Sequence, residues 1–276
     1  ALSALDLLLL TSFWTISLLA VARLAYAGTN SATGRVQLLV LAAIAAASLM
    51  ATAVGAATSG GTYSLSALRA LSFPWQQQAV LFWTSVVACS LTAAAFPLHT
   101  CPQPCSAVPM PVRLLTGALL LNLGVYGLFR VSIMLFPLAA VSFAPLMVIA
   151  GSAGLIYGAS VALGQQALHD VIVHWRIAQT GLVLIGIFAL DDLGLHGALL
   201  HSVASSLAVA TLLVLVDGTG GQMAAGECPT RCGGIGAAVG FMSAIGVPGL
   251  AGFLGQSLLV MQVLRWAWSD SELPKV

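Results

Sequence analysis

Apolar runs of about twenty residues recur along almost the whole of this chain, and nothing else in it constrains the fold so tightly. They lie near 7–25, 36–57, 79–97, 112–129, 141–164, 167–189, 195–216 and 232–266. A helix needs about 20 apolar residues to cross the hydrocarbon core of a bilayer, so each run is long enough for one crossing and the last is long enough for two. Lipid offers no partner to backbone N–H and C=O groups, and continuous rather than alternating apolar runs select helices over a barrel. Composition agrees: of 276 residues 59% are hydrophobic and 6% charged, with a mean hydropathy of +1.03. The expected fold is an all-α polytopic membrane protein with eight to nine transmembrane helices, forming a single membrane domain over 1–276.

Charge narrows the function classes. A formal charge of +1 leaves no basic face for phosphate backbones, which excludes nucleic acid as a partner. Orientation is not encoded: Arg23, Arg35, Arg113 and Arg231 are expected in loops on one side, and Arg69, Arg130, Arg265 and Lys275 on the other. The chain begins at Ala1 with neither a methionine nor a charged leader, so no targeting peptide is expected within it. Three polar connections, 58–78, 99–113 and 217–231, carry Gly, Pro and Ser and read as loops. None is long enough for a soluble domain, which needs at least about 50 residues.

Two prolines fall inside apolar runs, Pro97 in "TAAAFPLH" and Pro248 in "AIGVPGLAGFLGQS". Proline removes an intrahelical hydrogen bond and crowds the preceding turn, so each is expected to mark a helix break. The two runs are the third and the eighth. An odd offset gives them opposite orientations, as the two discontinuous helices of an inverted repeat would have. Membrane helices also tolerate proline without any such role.

The words "FPLH" (96–99), "LLTGALLLNLGVYGLFRVSIMLFP" (114–137), "FAPLMVIAGSAGLIYGASVALGQ" (143–165) and "TGLVLIGIFAL" (180–190) resemble the antiporter-like membrane subunits of respiratory complex I, of the subunit 4 type. The segments "DLLLLTSFW" (6–14), "GALLHSVASSL" (197–207) and "VPGLAGFLGQSLLV" (247–260) continue the likeness in order. The resemblance implies an antiporter-like inverted-repeat bundle with two broken helices. It implies helices five to twelve of a fourteen-helix subunit, with the first four and last two outside this chain. It also implies proton translocation driven by electron transfer elsewhere in the complex. The family does this with glutamate and lysine at mid-membrane, groups that gain and lose protons along a file of water.

Carried onto this chain, those positions are mostly neutral. The fifth-helix glutamate falls on Thr15, the lysine of the broken helix on Thr92, and the lysine in the word matched by "LLLNLGVYG" on Asn122. Further lysine, histidine and glutamate positions fall on His169, Ser205 and Gln256. Five of these six cannot titrate near neutral pH. The carboxylates Asp6, Asp170, Asp191, Asp192, Asp217, Glu227, Asp270 and Glu272 are all expected at span ends or in loops.

Histidine remains. His201 stands one turn before Ser205, so it reads either as a neutral histidine bonded to a neighbouring helix or as the family's histidine displaced by about 6 Å. His169, Asp170, His174 and Arg176 read as a solvated or interface-facing helix end, or as a surviving half-channel entrance.

Cys101 and Cys105 in one loop repeat the C-x3-C spacing of Cys228 and Cys232 in another. They read first as free structural thiols, and otherwise as two disulfides or one four-thiolate zinc site. The resemblance places both loops on the matrix side, where thiols stay reduced. Cys89 reads as an ordinary buried thiol.

The resulting expectation is a shortened antiporter-like subunit of complex I in the mitochondrial inner membrane, or alternatively in a bacterial or plastid membrane. It has no redox chemistry and no cofactor of its own; FMN, iron–sulfur clusters and ubiquinone belong elsewhere in the complex. Its expected partners are other membrane-arm subunits, including neighbouring antiporter-like ones, and lipid. Small-residue faces in 42–57 and 233–246 suit close helix packing against either. The expected role is structural, with its own proton path lost or impaired. Two alternatives stand beside it: protons still pass through histidines and waters, or the chain is a free-standing cation/proton transporter.

Overall fold

The computed structural model describes residues 6–28, 32–71, 73–99, 110–218 and 230–271. Among them the structure is helical throughout, with no strand beyond a one-residue bridge between Asp6 and Ser64. Among the described residues six helical spans are long and apolar enough to cross a membrane: Leu7–Leu24, Leu39–Gly60, Met110–Ile133, Pro137–Leu163, Leu168–Phe188 and Asp192–Asp217. The chain divides into two compact units, Ala1–Phe143 and Ala144–Val276.

The first unit contains α1 (Leu7–Gly28), α2 (Ala32–Gly60), the short α3 (Leu65–Ala70) and α4 (Trp75–Ala93). A rod from Met110 to Ile133 follows, made of α5 (Met110–Leu114) and α6 (Leu121–Gly127), with π-helical turns at Leu115–Leu120 and Leu128–Ile133. Each π turn holds an extra residue and rotates the side chains that follow, so a 3.6-residue period does not carry across it. α4 packs on both α2 and α6, and its fully buried Phe82 forms a cluster of three mutually touching rings with Trp83 and Phe143. Gly124 admits this approach: a Cβ there would lie 2.5 Å from the backbone N of Ala93 and 2.7 Å from the carbonyl of Cys89.

α4 stops where the sequence makes it stop. Pro97 has no N–H to give the carbonyl of Ala93, and its ring disfavours helical backbone at Phe96. Ala94 turns left-handed (φ 50°), and the N–H groups of Ala94 and Ala95 both reach the carbonyl of Ser90.

The second unit contains most of α7 (Pro137–Leu163), which begins in the first, together with α8 (Leu168–Phe188), α9 (Asp192–Gly218), α10 (Thr230–Ile245) and α11 (Ala251–Ser271). α9 packs against α8, α10 and α11. Between α10 and α11 the chain turns through Gly246 (φ 80°), with Val247 N–H on the carbonyl of Met242 and Gly246 N–H on that of Ser243. That paired closure ends a helix in left-handed backbone, and Pro248 then prevents its continuation.

Several loop expectations are corrected. Arg23 lies within α1, Arg69 within α3 and Arg265 within α11, while Arg113 and Arg130 belong to the rod. Arg113 is buried, not solvated, because the rod begins at Met110, before it. The polar connection 58–78 holds α3, whose Leu65 and Leu68 are buried.

Candidate functional site

Hydroxyl side chains in a bilayer must find acceptors, and those of the candidate path find them on their own helices. In the first unit Thr15 is half-buried on α1 and donates to the carbonyl of Ser12 at 2.8 Å. Thr92 is buried in the last turn of α4 and donates to the carbonyl of Ala88 at 2.7 Å. Asn122, half-buried, opens α6. Gly124 abuts Ala93, so Thr92 and Asn122 each stand within two residues of the closest α4–α6 approach. Farther along that contact the hydroxyls of Ser85 and Ser132 meet at 2.8 Å, with the fully buried Cys89 thiol beside Ser132. This first-unit cluster is amide, hydroxyl and thiol, with no carboxylate.

In the second unit His169 is buried in the first turn of α8, its Nδ1 3.3 Å from Oδ1 of the exposed Asp170. Ser205 is buried on α9 and donates to the carbonyl of Ser202 at 3.1 Å. His201, 1% exposed, faces α8, and its Nε2 lies 2.6 Å from Oε1 of Gln179. An amide oxygen only accepts, so the imidazole proton is on Nε2. Gly255 of α11 presses on the backbone of His201, where a Cβ would fall 2.6 Å from its Cα. The next residue, Gln256, turns its amide toward Gly246 in the α10–α11 turn. The structure thus brings His201, Gln179 and Gln256 into one neighbourhood beside the turn that contains Pro248.

At the start of α8, expected as a solvated or interface-facing helix end or a half-channel entrance, Asp170 is exposed and His174 half-buried, while His169 and Arg176 are buried. The guanidinium is 7% exposed, and its Nη2 donates to Ser206 Oγ on α9 at 2.9 Å. Arg176, Gln179 and Ser206 escaped the sequence reading as a group. A signal existed: His169, Val173, Arg176 and Thr180 follow one another by four, three and four residues, which is one helical face, and all four are buried.

Among the described residues the buried ionisable side chains are Arg113, His169, Arg176, His201 and the Cys89 thiol, and no carboxylate is buried. No cluster of three metal-ligating side chains occurs among them. Cys101, Cys105 and Cys228 lie outside the described residues, as does the side chain of Cys232.

The family model for the transmembrane region of the NADH:quinone oxidoreductase/Mrp antiporter proteins matches residues 4–270. The chain belongs to this family. A member from Picosynechococcus sp., named NAD(P)H-quinone oxidoreductase chain 4, is 30% identical over 266 residues, covering 91% of this chain and 48% of the relative. Another of that name, from Synechococcus sp. (strain JA-3-3Ab), is 30% identical over 225 residues, or 78% of this chain and 42% of the relative. The chain therefore spans about half the length of the curated relatives it matches. A chain of respiratory complex I from Thermus thermophilus superposes with a TM-score of 0.84 at 23% identity, over 95% of this chain and 59% of that one. A chain of the Mrp complex from Dietzia sp. DQ12-45-1b gives 0.81 at 21% identity, over 94% and 30%. At these identities the two superpositions establish a shared fold.

Proposed function

We propose that this chain is an antiporter-like, chain 4 type subunit of the membrane arm of a proton-pumping NADH:ubiquinone oxidoreductase, in which it holds the arm together and no longer carries protons along the family's charged path. The observation that carries this reading is the fate of the matched positions. Thr15, Thr92 and Ser205 spend their hydroxyl protons on carbonyls of their own helices. Asn122 and Gln256 are amides without a second protonation state near neutral pH. Proton transfer through lipid depth needs groups that cycle between two states.

In this reading the fold is the antiporter-like inverted repeat of eight to nine membrane-spanning helices, with the breaks at Pro97 and Pro248 as its discontinuous pair. The partners are the neighbouring membrane-arm subunits and lipid. FMN, iron–sulfur clusters and ubiquinone are carried elsewhere in the complex. The membrane is the mitochondrial inner membrane or a bacterial or plastid one, and the cyanobacterial origin of the relatives favours the latter.

The test is the number of protons moved per NADH oxidised by the intact complex in sealed vesicles. A value lower than that of an assembly whose equivalent subunit keeps its charges is expected; an equal value overturns the reading. A second reading, in which protons still pass by way of His201 and His169, is favoured by the buried imidazole that bridges α9 to α8. It predicts that His201→Gln lowers the ratio. A free-standing cation transporter is the third; isolation of the chain as a lone oligomer, outside any redox assembly, would favour it.

A further inference from the structure

The buried guanidinium of Arg176 has no role in the reading above. It lies eight residues beyond the start of α8, about 12 Å along the helix axis, in a segment long and apolar enough to cross a membrane. Its Nη2 is held by Ser206, while Nη1 is buried with no partner among the described residues. No carboxylate pairs with it among the described residues; Asp170 lies by His169 and Asp191 by Arg265. A permanent charge at such depth is costly to insert, and packing alone does not require it. It cannot serve as a relay, because a guanidinium does not release its proton in a protein.

What the charge does follows from what it faces. Ser206 anchors it to α9, and five residues earlier on α9 stands His201, a buried group able to take up a proton. Two bonds tie the same pair of helices here, Arg176 to Ser206 and Gln179 to His201, with Arg176 and Gln179 three residues apart on α8 and so on one face of it. We propose that Arg176 is an electrostatic barrier, pinned by Ser206, that keeps protons from crossing the second unit by way of His201. A fixed positive charge repels an excess proton entering its surroundings, and the low dielectric of the interior strengthens that repulsion. Pores that pass neutral molecules exclude protons and cations with a positioned arginine by the same physics. The barrier rests on the proposal that this chain does not pump: a structural subunit that spans the membrane must also not leak.

The test uses the intact complex in sealed vesicles, without NADH, under an imposed pH gradient with potassium and valinomycin present. Passive proton entry is read with an internal pH dye. Arg176→Met and Arg176→Gln are expected to raise entry by roughly tenfold or more, the scale on which removing one like charge acts in a low-dielectric interior. Arg176→Lys keeps the charge and stays near the parent value. Adding His201→Gln to Arg176→Met brings entry back down. Unchanged entry in both charge-free variants overturns the proposal, as does a leak that His201→Gln does not reverse. If neither charge-free variant assembles while Arg176→Lys does, the charge is structural and the barrier is refuted. A normal proton-to-NADH ratio in the parent complex would instead refute the non-pumping reading, independently of the leak.

Discussion

His201 Nε2 donates to Gln179 Oε1 at 2.6 Å, and this bond ties α9 to α8 inside the second unit. It satisfies one nitrogen of an imidazole that is 1% exposed, and the other nitrogen has no partner among the described residues. Replacing Gln179 by Leu strands the buried N–H, at a cost of about 1–3 kcal/mol. The midpoint of heat-induced dissociation of the complex should fall, while the proton-to-NADH ratio stays at the parent value. A lowered ratio in a complex of unchanged stability would place Gln179 on a working path.

Asn122→Lys places a charge at the position that the resemblance matches to a family lysine. Insertion of a lysine at the centre of a span costs about 2.5–3.5 kcal/mol, so less of the chain should reach the membrane. The fraction that does insert should leave the proton-to-NADH ratio unchanged, because no described carboxylate is buried to work with the new ammonium. Carbonate extraction measures the first effect and vesicle acidification the second. A raised ratio would show that only this one group was missing.

Ser85 and Ser132 share a hydrogen bond at 2.8 Å, and Ser85 also reaches the carbonyl of Phe82 at 2.7 Å. Ser132→Ala therefore leaves Ser85 satisfied and should cost only about 0.5–1.5 kcal/mol. Proton pumping should not change. A drop in the ratio would mean that the hydroxyls of α4 and the rod hold conducting water.

Gly255 allows α11 to lie against the backbone of His201. A Cβ would approach that Cα to 2.6 Å and the backbone N to 2.7 Å, atoms that cannot turn aside as a side chain can. Gly255→Ala should cost about 1–3 kcal/mol by overpacking, and Gly255→Val more. Both are measured by thermal dissociation of the complex. Gly249, where a Cβ would meet nothing within 4 Å but the backbone is left-handed (φ 97°), separates steric contact from conformational strain.

Much of this fold could be read along the chain. The apolar run 167–189 coincides with α8, Leu168–Phe188, and the run 195–216 lies within α9, Asp192–Gly218. Hydropathy is a sum over neighbours in sequence, and lipid imposes helices on any run long enough to cross it, so no tertiary information was needed. α4 ends at Ala93 and α10 at Ile245, each a few residues before a proline, Pro97 or Pro248, that disfavours helix in the turn preceding it. The neutrality of Thr15, Thr92, Asn122, Ser205 and Gln256 is a property of residue identity alone.

Only the folded chain decided which polar side chains are buried and whom they face. Arg176 sits two turns inside a helix whose first turn is partly solvated, and nothing local distinguishes a guanidinium that reaches back to water from one that bonds Ser206. The pairing of His201 with Gln179 spans 22 residues and exists because Gly255 and the small residues around it let α8, α9 and α11 close on one another. In the rod, π turns on either side of α6 rotate Asn122 away from the register a regular helix would give. Each of these depends on the angle and distance between helices, which side chains set jointly across sequence gaps and which no single segment encodes.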